Sequence, residues 1–211
     1  MGVILCAACN NGKSGNQNEL ADAPLVEPSP TAIELIKAKN ISASLSQLNL
    51  EFWPTCTADE IAQFVLPKLE TVIMNETGDE SLAQCLVSEN GVVAYVEHAD
   101  KEKFDNIIVK AKDVLPKNVI LLWSAKPLYG KYTLYAIKDD CSDGIAPLQG
   151  DFIENAEIGF SGNSPVLNIT MDKNATRIWA DMTEECAQER RPIAIVANAQ
   201  VLSAPDRKSV V

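Results

Sequence analysis

PVLNITMDKNATRIWADMTEECAQERRPIAIVANAQVLSAP, residues 165–205, is the stretch with the clearest structural pattern in this 211-residue chain. Its first residues alternate between apolar and polar side chains, with Leu167, Ile169 and Met171 on the apolar side. This period of two predicts a half-buried strand. Asp172 interrupts the alternation and is placed to cap a helix that follows.

Beyond Asp172 the apolar residues recur at the spacing of one helical face. The stripe consists of Ala175, Ile178, Trp179, Met182 and Cys186. Charged residues take the opposite side, so the pattern predicts an amphipathic helix with Trp179 in the core. After Pro192, the run IAIVANAQVLSA predicts two short strands that fold back at Asn198 and Ala199 and are closed by Pro205. The whole stretch is therefore predicted to be a β-α-β-β unit.

A second unit of the same order is predicted upstream. Val92–Glu97 reads as a strand, and Asp100 is placed to cap a helix with the same apolar spacing. That stripe consists of Phe104, Ile107, Ile108, Ala111 and Leu115. The strand NVILLWSA follows, and KYTLYAIK pairs back on it through a turn at residues 127–130. Two such units predict an α+β fold of two β-α-β-β modules, with helices packed on one face of mainly antiparallel sheets.

Another helix is predicted before this second unit. Its start is a capping box, in which the Thr57 hydroxyl and the Glu60 carboxylate bind free N–H groups of the first turn. Its inner face is predicted to consist of Ile61, Phe64, Val65, Leu69 and Val72. Pro67 is predicted to kink this helix, because proline has no N–H and its ring meets the preceding turn.

The composition is that of a globular protein, with 46% hydrophobic residues and a formal net charge of -11. We expect no binding to nucleic acid, because a phosphate backbone needs clustered Lys and Arg, and the chain has no basic cluster larger than a pair such as Arg190-Arg191. No stretch approaches the roughly 18–20 consecutive apolar residues that span a bilayer.

The first nine residues, MGVILCAAC, resemble the end of a bacterial lipoprotein signal peptide. Ala8 before Cys9 is the small residue that the processing enzyme requires, whereas Leu5 before Cys6 is not. Cys9 is therefore the predicted lipid anchor. The alternative is a short apolar N-terminus in which the Cys-Ala-Ala-Cys spacing has no function. A zinc or redox site is not expected, because residues 10–12 offer neither a second ligand pair nor a helix.

The predicted organisation has four parts. A lipoprotein signal remnant occupies residues 1–9, and a tether with a poorly defined segment occupies residues 10–55. An α+β module spans 56–140, and a second α+β module spans 141–211. Between Asn10 and Pro30 the residues are mostly Asn, Gly, Ser, Pro and acidic types, which is the composition of a flexible tether.

Besides Cys6 and Cys9, four cysteines remain: Cys56, Cys85, Cys141 and Cys186. In an oxidising compartment they allow up to two disulfides, whose pairing does not follow from the sequence. Cys186 lies on the apolar stripe of its helix, so a buried free thiol is equally consistent with its position.

No catalytic residue, metal site or cofactor site is predicted. His98 is the only histidine, and no Gly-x-Ser-x-Gly elbow or catalytic-Cys signature accompanies it. The acidic groups at residues 139–143 and 184–185 lack the spacing of a calcium loop and are expected to solvate loops and helix faces. The glycines of GFSG, residues 159–162, are not followed by Gly-Lys-Ser/Thr and are interpreted as a hairpin turn.

Several segments of the C-terminal part resemble a known family. PLQGDFIENAEI, PVLNITM and AIVANAQVLSAP, with the helix that carries Thr183 near its end, resemble the head of the first periplasmic domain of SecD, a membrane component of the bacterial protein-export machinery. Upstream, FWPTCTADEIAQFVLPKLE and LLWSAKPLYGKYTLYAIK are similar to that domain in fused SecD–SecF proteins of the Bacteroidetes type. The resemblance covers roughly residues 51–205.

The chain departs from the family pattern at its turns. Asn198 and Ala199 stand where the family hairpin usually has Asp-Gly. Asn174 stands where Gly usually opens the helix, and the polar run 188–191 stands where another Gly usually ends it. The family also continues past its Ser-Ala-Pro into a Gly-Gly segment and six membrane helices. Two interpretations of the chain are therefore consistent with its sequence: a truncated SecD-like protein and a stand-alone lipoprotein.

The resemblance implies a non-catalytic domain on the periplasmic side of the bacterial cell envelope, tethered to the membrane through Cys9. Its implied partner is extended or unfolded polypeptide during protein export. One alternative is a lipoprotein interaction module for another envelope protein. A second alternative is an envelope hydrolase, which no residue pattern favours.

The lipid anchor is directly testable. Expressed with an intact export signal, the protein is expected to enter the detergent phase on phase separation, because acylation of Cys9 adds buried hydrocarbon. Cys9→Ser is expected to stay unprocessed or to remain in the aqueous phase, whereas the matched control Cys6→Ser should behave like the wild type. Equal partitioning of the wild type and Cys9→Ser would contradict the anchor.

Overall fold

The computed structural model describes residues 2–6, 50–149, 152–161 and 164–205. These residues fall into two compact units, one formed by residues 2–6 with 152–173 and the other by residues 50–149 with 174–205. Cys9 and the predicted tether up to residue 49 lie outside the described residues. The predicted module boundary at residue 140 stays a prediction.

The described residues form both helices and strands, which confirms the predicted α+β class. The strands are β1 (Gly2–Cys6), β2 (Glu51–Pro54), β3 (Leu86–Glu89), β4 (Val92–Glu97), β5 (Val119–Trp123), β6 (Lys131–Lys138), β7 (Leu148–Gln149), β8 (Ile153–Ser161), β9 (Ser164–Met171), β10 (Ile193–Ala197) and β11 (Gln200–Ser203). The helices are α1 (Ala58–Glu60), α2 (Leu66–Thr77), α3 (Glu80–Ala83), α4 (Lys101–Ala111) and α5 (Lys173–Gln188). A π-helical segment, Ile61–Val65, joins α1 to α2, and a 3-10 turn, His98–Asp100, precedes α4.

The strands pair in three antiparallel sheets. The β6 sheet has the order β3-β4-β6-β5, and the β10 sheet has the order β11-β10-β2-β7. The β9 sheet has the order β1-β9-β8. The β6 and β10 sheets belong to the larger unit, whereas the β9 sheet belongs to the smaller one.

Helices cover one face of the β6 sheet. The buried residues there come from the first helical stretch, from α4 and from the strands: Ile61, Val65, Leu69, Ile73, Phe104, Ile107, Ala111, Val93, Val96, Leu134 and Ala136. On the opposite face, Tyr135 and Ile137 of β6 pack with Trp53, Ala194 and Val196 of the β10 sheet. Strand β6 is therefore covered on both sides, and each fully buried aliphatic side chain contributes about 1.5–3 kcal/mol.

The first helical stretch begins as predicted and then departs from an α-helix. The capping box is present, with Glu60 N–H donating to Thr57 Oγ1 at 3.2 Å and Thr57 N–H donating to Glu60 Oε2 at 2.9 Å. Just before Pro67 the Leu66 N–H donates to Ile61 O, five residues back, which marks a π turn. The irregularity predicted at Pro67 thus includes a wider turn ahead of it.

The π turn rotates the residues that follow around the helix axis. Ile61, Val65, Leu69 and Ile73 are buried at a constant spacing of four, while Phe64 is 52% exposed. The prediction that Phe64 belongs to the inner face is wrong for this reason. A purely α-helical period places Phe64 inside, and only the inserted turn carries it out.

Helix α4 shows the predicted stripe, with Phe104, Ile107 and Ala111 buried. The predicted cap at its start is wrong. Asp100 occupies the N-cap position but makes no side-chain capping bond. Its carboxylate instead accepts a hydrogen bond from Lys103 Nζ at 2.7 Å, because the 3-10 turn already leads the chain into the helix.

The order β-α-β-β is present along the C-terminal part as β9, α5, β10 and β11, but these strands do not form one sheet. β9 pairs with β8 and β1, whereas β10 pairs with β11 and β2. In the β10–β2 pair, Ile193 lies opposite Pro54 and Ile195 lies opposite Phe52. Strand β2 comes from the segment predicted to be poorly defined, so the alternation pattern located strands without identifying their partners.

Trp179, which the helical stripe predicts to lie in the core, is only half-buried. Trp53 is buried in the core between the β6 and β10 sheets, whereas Trp123 and Trp179 are half-buried. The Trp179 ring meets the buried Phe52 ring edge-on, with 5.2 Å between centroids. Of the predicted stripe on α5, Ala175, Met182 and Cys186 are buried, whereas Ile178 and Trp179 are half-buried.

Helix α5 ends in a Schellman motif built on Arg190. The Arg191 N–H donates to Cys186 O at 2.9 Å, and the Arg190 N–H donates to Ala187 O at 3.4 Å. Arg190 has φ 57, a left-handed conformation that glycine adopts most easily. This arginine therefore fills the helix-ending position for which the family usually has Gly.

The β10–β11 hairpin turns at Asn198 and Ala199, as predicted. Their φ values are 51 and 58, and this pair of left-handed residues is typical of the two-residue type I′ turn. Alanine is an unfavourable residue there, because its Cβ crowds the backbone at positive φ.

We therefore expect Ala199→Gly to raise the free energy of unfolding by about 1 kcal/mol, since glycine removes the Cβ strain. The matched control is Ala180→Gly, at an exposed position of α5, which should lower stability by about 1 kcal/mol. Urea denaturation measures both changes. A loss of stability in Ala199→Gly would contradict the turn geometry.

Candidate functional site

A buried cation lies where the end of α5 meets the start of the first helical stretch. Arg191 is only 6% exposed. A charged side chain so far from water is costly unless acidic groups and hydrogen-bond acceptors surround it. The neighbours of Arg191 therefore decide whether this part of the fold is stable.

Arg191 has acidic and carbonyl partners on both sides. Its Nη1 donates to Thr55 O at 3.0 Å and to Glu60 Oε2 at 3.3 Å, and its Nη2 forms an ion pair with Glu189. Its Nε has no hydrogen-bond partner among the described residues. The contact between Arg191 and Glu60 thus connects residues that are 131 positions apart in the sequence.

Glu60 completes a network that we call the ionic junction, formed by Glu60, Lys138 and Arg191. One carboxylate oxygen pairs with Lys138 Nζ, and the other accepts from Arg191 and from the Thr57 N–H. Burial raises the pKa of Glu60, but the hydrogen bonds from Lys138 and Thr57 and the charge of Arg191 outweigh this effect. The net result is a pKa below the ordinary value.

Backbone contacts hold the chain tightly beside the ionic junction. The N–H and the hydroxyl of Thr55 both donate to Pro192 O, at 3.1 and 3.0 Å. Gly91 lies against the same threonine, since a Cβ on Gly91 would come within 2.9 Å of Thr55 Oγ1. Gly91 also has φ +79, so a larger residue is unfavourable there on both counts.

Cys56 lies next to these groups, but it is not an activated nucleophile. Burial, followed by the nearby charge of Glu60, raises the pKa of the Cys56 thiol to about 12. The thiol therefore stays protonated at neutral pH and packs as a small apolar side chain. In the part of the chain that the structure describes, Cys56, Cys85, Cys141 and Cys186 are all free thiols.

The other residues weighed for chemistry have structural contacts. His98 is exposed, and its ring lies 5.8 Å from that of Tyr132. Asp139 is buried and accepts a hydrogen bond from the Gly144 N–H at 2.8 Å, which shapes the loop after β6. Within residues 50–149 and the other described ranges, no group of three or more His, Cys, Asp or Glu side chains is arranged to hold a metal ion.

Gly159 of the predicted turn lies in β8, opposite Val166 of β9, so the turn interpretation is wrong for this glycine. Gly162 lies outside the described residues. None of the described helices is both long and apolar enough to cross a membrane.

The edge of strand β9 that faces away from β8 is the second feature that can bind a partner. β1 lies along β9 in antiparallel register from Gly2 opposite Thr170 to Cys6 opposite Val166. Backbone N–H and C=O groups at such an edge pair with any extended chain, whatever its side chains. This arrangement was not predicted, because residues 2–6 carry the apolar signature of a signal peptide and lack an alternating pattern.

The ionic junction was also missed at the sequence level. Glu60 was assigned to a capping box and Arg191 to a polar run, and no periodicity connects them. The one available signal was the position of Arg191 directly before Pro192 and a buried strand, where a solvated arginine is unusual. Cys9, the one predicted functional residue, lies outside the described residues.

Comparison with known proteins gives one match. Residues 141–211 match the family model described as SecDF, P1 head subdomain. No curated protein matches the chain, and no solved structure does. The matched family is one of protein translocation and not a known enzyme family. The resemblance of the C-terminal part to a SecD head is therefore confirmed, whereas the Bacteroidetes type stays a prediction.

The ionic junction should make stability depend on pH. Because the pKa of Glu60 is lower in the folded than in the unfolded protein, its ionised form stabilises the fold above the ordinary pKa, and this contribution disappears as the pH falls through the lowered value. Glu60→Gln is expected to reduce the free energy of unfolding at neutral pH by about 1–3 kcal/mol, since Arg191 and Lys138 lose a charged acceptor.

Urea denaturation at neutral pH and at about pH 3 tests this expectation, with the difference between wild type and Glu60→Gln shrinking at the lower pH. Glu70→Gln, at an exposed position of α2, is the matched control and should change little at either pH. A difference that persists undiminished in acid would show that Glu60 does not act through its charge.

Proposed function

We propose that this chain is a SecD-type head domain of the bacterial envelope, which takes part in protein export by holding extended segments of translocating polypeptides. It does so on the periplasmic side without cleaving or modifying them. The observation that carries the proposal is the match of residues 141–211 to the head subdomain of SecDF.

The architecture supports a backbone-based mode of binding. All three sheets are antiparallel and have edge strands, among them β3, β7 and β8. An extended chain that joins an edge gains main-chain hydrogen bonds that do not depend on its sequence. A domain that must hold many different polypeptides needs this kind of contact more than a deep pocket of fixed shape.

Exposed apolar side chains provide the second contribution. Leu128 and Tyr129 project from the turn between β5 and β6, and Leu202 projects from β11. The Ala125 N–H donates to Val201 O at 2.8 Å, which fixes β11 beside the segment that leads into this turn. Single exposed side chains of this type give shallow contacts and therefore modest affinity.

The charge of the chain selects among polypeptides. With a net charge of -11, it attracts basic unfolded segments and repels acidic ones. Binding that depends on this charge weakens as the ionic strength rises. We further propose that Cys9 carries the lipid that keeps the domain at the membrane surface, where emerging chains are concentrated.

The test is a titration of the purified full chain with reduced, carbamidomethylated ribonuclease A, in which alkylation of the thiols adds no charge, followed by fluorescence anisotropy. We expect a dissociation constant near the micromolar range, equivalent to about -8 kcal/mol, because shallow contacts and backbone pairing supply the binding energy. Native ribonuclease A is the matched control, since it has the same sequence without free extended segments, and it should not bind.

Equal binding of the native and the unfolded forms would contradict a role that depends on extended chain. Binding to neither form, together with capture of one folded envelope protein, would support the alternative of an interaction module for another envelope partner. The observation that favours this alternative is the presence of Arg190 and Ala199 where the family usually has glycine.

A further inference from the structure

The smaller unit contains an extended segment already seated on a sheet edge. β1 adds to β9 over five consecutive residue pairs, from Gly2 with Thr170 to Cys6 with Val166. β9 is thereby the central strand, with β8 on its other side. The edge of β9 that faces away from β8 thus accepts an antiparallel strand within this fold.

The two neighbours of β9 reach it in different ways. β8 ends at Ser161 and β9 begins at Ser164, so the two strands are neighbouring segments of the chain and their pairing is local. β1 is separated from β9 by more than half of the chain, so no short connection dictates its position. The β1–β9 pairing therefore reflects the affinity of this edge for an extended apolar segment.

The sequence of β1 indicates what kind of segment the edge accepts. GVILC contains no charged side chain and no side-chain donor or acceptor other than a thiol. Recognition must therefore come from backbone hydrogen bonds and apolar contact, which many sequences supply equally well. On β9 itself Ile169 is fully buried and Thr170 is exposed, as expected for a strand with one covered face.

The ends of this edge set the length of the bound segment. Pro165 immediately precedes the first β9 residue that pairs with β1, and proline has no N–H to donate to a ladder. At the other end, the Asp172 N–H donates to Phe152 O at 3.0 Å, and the chain then enters α5. Between these limits, residues 166–170 are available for pairing.

We infer that residues 166–170 of β9 are the binding site for an extended apolar polypeptide segment, which adds as an antiparallel strand, and that β1 is an intramolecular competitor for this site. The inference rests on the proposed function and specifies where the polypeptide binds. Cleavage between Ala8 and Cys9, which the sequence predicts, would remove β1 and leave the edge open in the processed protein.

Displacing β1 in the full chain tests the competition. Ile4→Pro removes a backbone donor from the middle of β1, while Ile4→Val keeps the strand preference and is the matched control. The probe is a fluorescein-labelled peptide with the sequence of residues 1–8 and Cys6→Ser. We expect the Ile4→Pro chain to bind it about tenfold more tightly or better than the wild type does, because the linked competitor is lost.

A cross-link tests the register independently of affinity. Ile4 lies opposite Asn168, and directly opposed residues of antiparallel strands have Cα atoms about 4.5–5.5 Å apart, within the range of a disulfide. In an Ile4→Pro chain with Cys6, Cys9 and Cys141 replaced by Ser, Asn168→Cys should form a disulfide with a probe peptide that carries Cys at its fourth residue. Thr170→Cys, two positions away, is the control and should react much less.

The outcomes separate the inference from the proposed function. If Ile4→Pro has the wild-type affinity for both the peptide and unfolded ribonuclease A, and Asn168→Cys does not cross-link preferentially, the β9 site is refuted while export-related binding at another edge stands. If no form of the chain binds unfolded ribonuclease A, the proposed function itself fails. Unchanged circular dichroism and urea denaturation in Ile4→Pro establish that the variant is folded.

Discussion

The larger unit depends on a buried guanidinium. Arg191 lies where α5 ends, and its ion pair with Glu60 connects that end to the capping box of the first helical stretch. Burial of this charge is costly, and Glu60, Glu189 and the Thr55 carbonyl offset the cost together. Loss of one partner leaves a charge uncompensated inside the protein, so the network stabilises the fold only when it is complete.

This constraint explains how the two large sheets share a core. Arg191 and Pro192 lead directly into β10, and Thr55 follows directly on β2, so the contacts around Thr55 bring these strands into register. Trp53 of β2 and Ile137 of β6 then lie in the same apolar cluster. Strand β2, which lies far before β10 in the sequence, thus forms part of the β10 sheet.

Local periodicity predicted most of the elements and few of their partners. The stripe of α4, the capping box at Thr57 and the turn at Asn198 are set by residues within a few positions of one another, so the sequence pattern was sufficient. Phe64 was misplaced because a π turn changes the helical period, which a fixed period does not anticipate.

The long-range features had no such local cause. The pairing of β2 with β10, the contact of Arg191 with Glu60 and the addition of β1 to β9 each join residues that are far apart in the sequence. Two departures from the family pattern did acquire physical meaning, because Arg190 and Ala199 both adopt the left-handed conformation for which the family uses glycine. The family resemblance identified these positions, and their positive φ angles show that each residue adopts a conformation that is less favourable than it is for glycine.

The family match and the β9 edge both support the proposal that this domain holds extended chains through their backbone. Hydrogen exchange of the full chain, alone and with reduced, carbamidomethylated ribonuclease A, measures this most directly, because amide protection reports strand pairing residue by residue. We expect the amides of residues 2–6 to exchange faster when the unfolded protein is added. Residues 166–170 should remain protected, because the added polypeptide replaces β1 as the strand paired with β9. Continued protection of residues 2–6, with new protection confined to β3 or β7, would contradict this expectation.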